Sequence, residues 1–231
     1  MNNGFSILEL LIALTLSMTI LSMAITSVTE GASVSKKISA KQDLLESLFF
    51  TVDSIKTDLT KCGMRLQEAI DLFNINVIEN TPVSFKLTYG LSSSLLYSNI
   101  YKGESSLILD ENESVKKNKK ILIYDPESGI SGFHSVSGKE KEEIFIKTPL
   151  KHDFIKDSPV ILIKEIEYKY FPKQKILKKK VDSGHFQPLL DNVTDFFVAF
   201  FKDSNSILYR IEIGNKEQVR GYIFLSNLAG K

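Results

Sequence analysis

Between Leu10 and Thr29 the chain carries no charged residue, and the apolar run "FSILELLIALTLSMTILSMAITSV" extends from Phe5 to Val28, 24 residues. The hydrocarbon core of a bilayer is crossed by a helix of ~20 apolar residues. The run contains no Pro or Gly, and its Leu, Ile, Ala and Met suit an uninterrupted helix. Such a segment can span a membrane as an anchor, be lost as a signal peptide, or serve as a membrane helix in which the one charge has a partner. One residue is out of place. Glu9 stands inside the run, and a carboxylate at the centre of a membrane helix costs roughly 2.5–3.5 kcal/mol on insertion scales.

A secretory signal peptide accounts poorly for these features. Its apolar region is ordinarily about 7–15 residues long and follows positive charge. Here the run is longer, and "MNNG" before it holds no Lys or Arg. Ser22-Met23-Ala24 offers an unremarkable cleavage site. A plain anchor leaves Glu9 without a purpose. "GFSILELLIALTLSMTIL" resembles the class III signal of type IV pilins and type II secretion pseudopilins. In that family a prepilin peptidase cuts after a glycine. The new terminal residue, usually Phe, is N-methylated, and the fifth mature residue is Glu. The resemblance implies cleavage between Gly4 and Phe5, N-methylation of Phe5, and a role for Glu9 in filament assembly.

The physical chemistry agrees with that implication. Cleavage would place a positive amine on Phe5, four residues or ~6 Å along a helix from Glu9. A carboxylate in the first helical turn is favoured by the helix dipole. In a filament a neighbouring subunit can present its own Phe5 amine to Glu9, so that a charge costly in a lone helix becomes a register signal. The first basic residues after the run, Lys36 and Lys37, lie beyond it, so loop charge alone would put the N-terminus outside, whereas the family places the leader in the cytoplasm.

Past the run, Ile38, Leu45, Leu48, Val52, Ile55, Leu59, Cys62 and Leu66 recur at helical spacing, with Lys41, Asp43, Glu46, Asp53, Lys56 and Asp58 at the other positions. The helix is expected to weaken or end near Gly63. Cys62 falls on the apolar stripe and reads as a small buried residue rather than a nucleophile. After about residue 74 the pattern alternates. Strands are expected at 83–91, 106–110, 120–125, 143–148, 159–171, 175–181, 193–201, 207–214 and 219–225, with "PKQ" turning 159–171 back into a hairpin. In 159–171 Leu162, Ile166, Tyr168 and Tyr170 share one face. "DENESVKKNKK" and "PESGISGFHSVSGKEKEE" read as loops too polar to pack. Helix first and strands after predict an α+β fold, a long N-terminal helix on a mostly antiparallel sheet. The expected divisions are a leader at 1–4, a transmembrane helix at 5–28, an amphipathic extension at 29–66 and a β-rich domain at 67–231.

The later sequence also resembles PilW-type minor pilins and J-type pseudopilins, in "LESLFFTVDSIKTDLTKCGM", "VILIKEIEYKYFPKQKILKKKV", "PLLDNVTDFFVAFF" and the closing "YRIEIGNKEQVRGYIFLSNL". That likeness is one of order and spacing. It implies a minor subunit that starts or caps a type IV pilus or type II secretion pseudopilus. Its partners would be other pilins, prepilin peptidase, an inner-membrane assembly platform and lipid, and its β domain would be periplasmic.

No enzymatic motif competes. "GFHSVSGKE", 132–140, has five residues between its glycines where a phosphate loop needs four, and Glu140 stands where Ser or Thr would bind magnesium; it reads as a hairpin loop. There is no nucleophile elbow or zinc helix, and His134, His152 and His185 have no metal-ligand spacing. No catalytic residue, metal or cofactor is expected. The net charge of +1 gives no general case for nucleic acid. Lys164, Lys169, Lys173, Lys175, Lys178, Lys179 and Lys180 do interleave with Tyr168, Tyr170 and Phe171, a composition that can contact phosphates and stack bases. DNA contact through Lys169, Lys173, Lys178, Lys179 and Lys180 therefore stands as an alternative. Against it, the aromatics would face the core while the lysines face water or blunt an edge strand.

Overall fold

A computed structural model describes residues 7–110, 115–214 and 217–228. The chain is α+β, as the order of patterns predicts. A helix, α1, runs without interruption through Ile7–Lys61, 55 residues. Its hydroxyl side chains turn back on the helix: Ser17 Oγ donates to the Ala13 carbonyl at 2.7 Å, Thr19 Oγ1 to Thr15 at 2.8 Å and Thr26 Oγ1 to Ser22 at 2.9 Å. Each such bond removes a polar group from the helix surface. The first part of α1 is long and apolar enough to cross a membrane, and none of that stretch is buried within the chain.

The chain divides into two compact units, with the boundary between Phe50 and Thr51. Among the described residues, the second unit contains the last turns of α1, a short helix α2 (Gln67–Phe73) and twelve strands. These are β1 (Ile78–Thr81), β2 (Ser84–Leu95), β3 (Ser106–Ile108), β4 (Lys120–Asp125), β5 (Ile130–Glu140), β6 (Glu143–Ile146), β7 (Pro159–Phe171), β8 (Ile176–Val181), β9 (Gln187–Leu190), β10 (Val193–Phe201), β11 (Ser206–Ile213) and β12 (Glu217–Phe224). Nine form one antiparallel sheet, with the path β1-β2-β7-β4-β5-β6-β3 and a branch through β8 to β9. The branch arises on β7. One of its edges pairs with β2 from Pro159 to Lys169; the other is shared, β4 taking Val160–Ile163 and β8 taking Ile166–Phe171. The remaining three strands form an antiparallel meander, β10-β11-β12.

Burial along β7 follows that division. Val160, Ile161, Leu162 and Ile163 are all buried, so this half is covered on both faces, while Ile166, Tyr168 and Tyr170 alternate with half-buried residues. Leu162 and Val160 join Ile121, Ile123, Val136, Ile144 and Phe154 in one apolar cluster. On α1, Ile55 and Leu59 are fully buried, as are Cys62 and Leu66 just beyond it. Ile38, on the same stripe, is 54% exposed. α1 stops at Lys61, and Gly63 adopts φ +72°, a left-handed conformation that glycine tolerates. A Cβ at Gly63 would also collide with Leu228 Cδ2, so the C-terminal segment closes directly over the end of the helix. Asn227 Nδ2 donates to the Thr60 carbonyl at 2.7 Å, and Asn205 Nδ2 holds the Leu228 carbonyl at 3.0 Å.

Four elements depart from the sequence expectation. The stretch read as a polar loop, including "GFHSVSGKE", is mostly strand β5, paired with both β4 and β6. Its inward positions are Gly132, His134 and Val136, so a small and a polar residue hide the alternation. A Cβ at Gly132 would sit 2.8 Å from His134 Nε2: the glycine is what admits the imidazole. β1 and β9 are four residues each, too short to leave a periodic trace. α2 lies in a stretch that the stripe of α1 appeared to lead straight into the strands, and ends at Asn74 in a left-handed conformation.

Candidate functional site

The residues singled out from the sequence fall at three places. Gly4 and Phe5 lie outside the described residues. Glu9 is in the first turn of α1, with an exposed side chain at the head of the apolar stretch. That position gives it the favourable end of the helix dipole.

The second place is where α1 meets the large sheet within the second unit. Asp58, one of the polar residues that lie off the apolar stripe in the sequence, is 7% exposed. Its Oδ2 accepts from the Tyr168 hydroxyl at 2.5 Å and from Lys179 Nζ at 2.6 Å. Lys179 Nζ also donates to Ser54 Oγ at 2.9 Å, and Ser54 Oγ lies 3.2 Å from the Tyr168 oxygen. Burial, and then the hydrogen bond to Asp58, push the Tyr168 phenol well above its usual range. Phe85 stacks on the Tyr168 ring at 4.8 Å. Every polar atom named here has a partner, so the cluster reads as a clamp between helix and sheet and not as a reactive centre.

The third place is the β7–β8 hairpin. Period-two geometry separates the aromatics that sit together in sequence. Tyr168 and Tyr170 are buried, and the Tyr170 hydroxyl donates to the Val193 carbonyl at 3.0 Å. Phe171 is on the other face, in edge contact with Phe186 at 5.6 Å. Around these two rings lie Lys178 (4.7 Å from the Phe171 centroid), Lys169 (5.6 Å from Phe171) and Lys180 (5.4 Å from Phe186). Lys173 is in the exposed turn of the hairpin, and Lys179 points to the opposite face, against Asp58. The structure thus brings together Lys169, Lys178 and Lys180, and adds Phe186, which period-two reading of the hairpin could not reach because it follows β8. Carboxylates share this face: Glu167 is 3.7 Å from Lys180, and Glu165 pairs with Lys86 at 3.0 Å and Lys120 at 2.7 Å. Burial pushes the Glu165 carboxyl up, but Lys120 and Lys86 more than offset this and hold it below its ordinary value.

Cys62 is completely buried, its Sγ 3.6 Å from the Val77 carbonyl. Burial raises the thiol to about 12. The raised value means that this group contributes stability fully below the unfolded thiol's ~8.5 and loses it as the pH climbs towards the folded value. Cys62 in the native protein is therefore expected to react with N-ethylmaleimide at pH 8 at least ~100-fold more slowly than in urea-unfolded protein, since the thiolate is the nucleophile. Mass spectrometry of timed samples would measure it; comparable rates would contradict the burial. Among the described residues, no group of three or more His, Cys, Asp or Glu side chains is placed to hold a metal.

No protein-family model matches the sequence, and no curated protein matches it. A solved structure with partial similarity is a tailspike of Acinetobacter baumannii bacteriophage AP22 in complex with A. baumannii capsular saccharide. It is 12% identical over 34% of this chain and 15% of its own, with a TM-score of 0.29. The chain matches well under two thirds of that protein's length, and a likeness this slight carries no argument about fold or function.

Proposed function

We propose that this chain is a minor pilin or pseudopilin, a non-enzymatic subunit that starts or caps a type IV pilus or type II secretion pseudopilus. The observation that carries the reading is Gly4-Phe5 with Glu9 four residues on, heading an uncharged apolar stretch. The continuous 55-residue helix and the antiparallel β unit that follows support it, since such a subunit needs both. In this reading prepilin peptidase cuts after Gly4, Phe5 is N-methylated, and the apolar part of α1 waits in the inner membrane with the β domain in the periplasm. Glu9 then meets the amine of a neighbouring subunit on entry to the filament.

The protein extracted from membranes is expected to begin at Phe5 with a methylated amine. N-terminal mass spectrometry would show it. A start at Met1, or at Ile25 after a conventional signal-peptide cut, would remove the assignment.

A DNA-uptake subunit is the second reading, and the grouping of Lys169, Lys178 and Lys180 about Phe171 and Phe186 favours it. Glu165 and Glu167 on the same face weaken it, because phosphate binding depends on net positive charge.

A further inference from the structure

The open edges of the two sheets are not alike. β1 and β3 have four and three residues, and β9 carries Pro188. Shortness and proline are ways of blunting an edge against unwanted pairing. β10, at one edge of the meander, has a bulge between Val193 and Asp195. β12, at the other, has none of these. Its eight residues contain no proline and pair with β11 in unbroken register from Ser206↔Phe224 to Ile213↔Glu217. Among the described residues no strand lies on its far side.

The outward face of this edge is apolar and aromatic at one end. Tyr222 is 62% and Phe224 57% exposed, and Phe201 and Phe197 lie on the same face of the meander. At the other end the charges are unevenly matched. Arg210 takes Asp195 at 2.6 Å and Glu212 at 3.6 Å. Arg220 stands directly opposite Arg210 in the ladder. Its Nε donates to Gln218 Oε1 at 3.1 Å, and among the described residues it is paired with no carboxylate. Like charges facing across a ladder are unfavourable, and an anion at the next position would relieve them.

We propose that β12 is a docking edge for an extended segment of another protein, added antiparallel as a fourth strand, with an acidic side chain opposite Arg220 and apolar side chains opposite Tyr222 and Phe224. Main-chain hydrogen bonds supply the attachment and the alternate side chains the selectivity. A second copy of β12 does not meet the charge requirement. The strand's one acidic residue, Glu217, lies on the other face from Arg220, and symmetric antiparallel pairing sets like faces side by side.

The test uses the full chain in detergent micelles and a fluorescein-labelled peptide, VTVTETT, whose Glu falls opposite Arg220 when its valines fall opposite Tyr222 and Phe224. The peptide with Lys in place of Glu is the control. Fluorescence anisotropy is expected to give the Glu peptide an affinity about tenfold above the Lys peptide. Arg220→Glu should reverse that order, and its exposed position opposite Arg210 makes it compatible with folding. Hydrogen exchange should show added protection in β12 on binding. Equal affinities, no binding of either peptide, or a preference that survives Arg220→Glu would overturn the proposal. So would a peptide-free dimer, seen by sedimentation, that Arg220→Glu dissolves, since the occupant would then be a second copy.

Discussion

Glu9→Gln is expected to abolish entry into a filament while leaving membrane insertion and cleavage after Gly4 intact. The two early steps do not need a negative charge. Insertion should improve if anything, because a carboxylate near hydrocarbon costs up to roughly 2.5–3.5 kcal/mol and the amide costs less. Assembly is different under the proposed role. The Phe5 amine of the adjacent subunit would lose its counter-charge in a low-dielectric setting, and removing one partner of a buried pair costs about 3–5 kcal/mol. That corresponds to a loss of about two to three and a half orders of magnitude in occupancy, at roughly 1.4 kcal/mol per factor of ten. The experiment expresses Glu9→Gln in a deletion strain, confirms the Phe5 terminus by mass, and asks whether partner pilins still co-purify and whether piliation or secretion returns. Normal assembly of the processed variant would take away the explanation for the glutamate. A subunit placed first has neighbours on one side only, so a partial defect would place this one at the tip.

Asp58→Ala should destabilise the second unit strongly for a change at a polar position. The substitution takes the counter-charge from the Lys179 ammonium, whose side chain is 23% exposed, and the short acceptor from the fully buried Tyr168 hydroxyl, leaving both only the neutral Ser54 Oγ. Loss of one partner of a fully buried pair costs about 3–5 kcal/mol, and the partial exposure of Lys179 puts the expectation at about 3 kcal/mol. Urea denaturation of a fragment comprising residues 31–231, followed by circular dichroism, would measure it. The double variant Asp58→Ala, Lys179→Met should recover much of the loss, because the charge left behind is then gone. If Asp58→Ala unfolds within about 1 kcal/mol of the parent fragment, the pair is an exposed one in solution and worth no more than such pairs usually are.

The parts of the fold that were legible in the sequence are those whose pattern is local. α1 shows itself in an unbroken series of good helix formers, and β7 in thirteen residues of continuous and then alternating apolar character. The stripe through Val52, Ile55, Leu59 and Cys62 gave the buried face of the helix. It did not say where burial begins, and Ile38 keeps the same phase while standing in the open. What stayed hidden depends on residues far apart. Asp58 has the composition of a solvated position, and the partners that bury it, Tyr168 and Lys179, lie more than a hundred residues downstream. β5 was hidden by Gly132 and His134, a pair whose fit exists only once the strand has formed. In the hairpin, adjacency grouped Tyr168, Tyr170 and Phe171, although alternation sends Phe171 to the other face.

The contact between the C-terminal segment and the end of α1 has a consequence in time. Asn227 reaches the Thr60 carbonyl across 167 residues of sequence. A ribosome adds about 5–20 residues each second, so an interval on the order of ten seconds separates the synthesis of Thr60 from that of the residue that closes over it. Throughout that interval the helix end at Thr60 and Gly63 lacks the segment that finally covers it. The hairpins of the second unit join neighbouring strands, but its closure over the helix end cannot be made until Asn227 has been added. A chaperone that attends this protein during synthesis has the stripe from Val52 to Leu66 to hold. A message truncated before Asn205 yields a chain in which the end of that stripe is never closed.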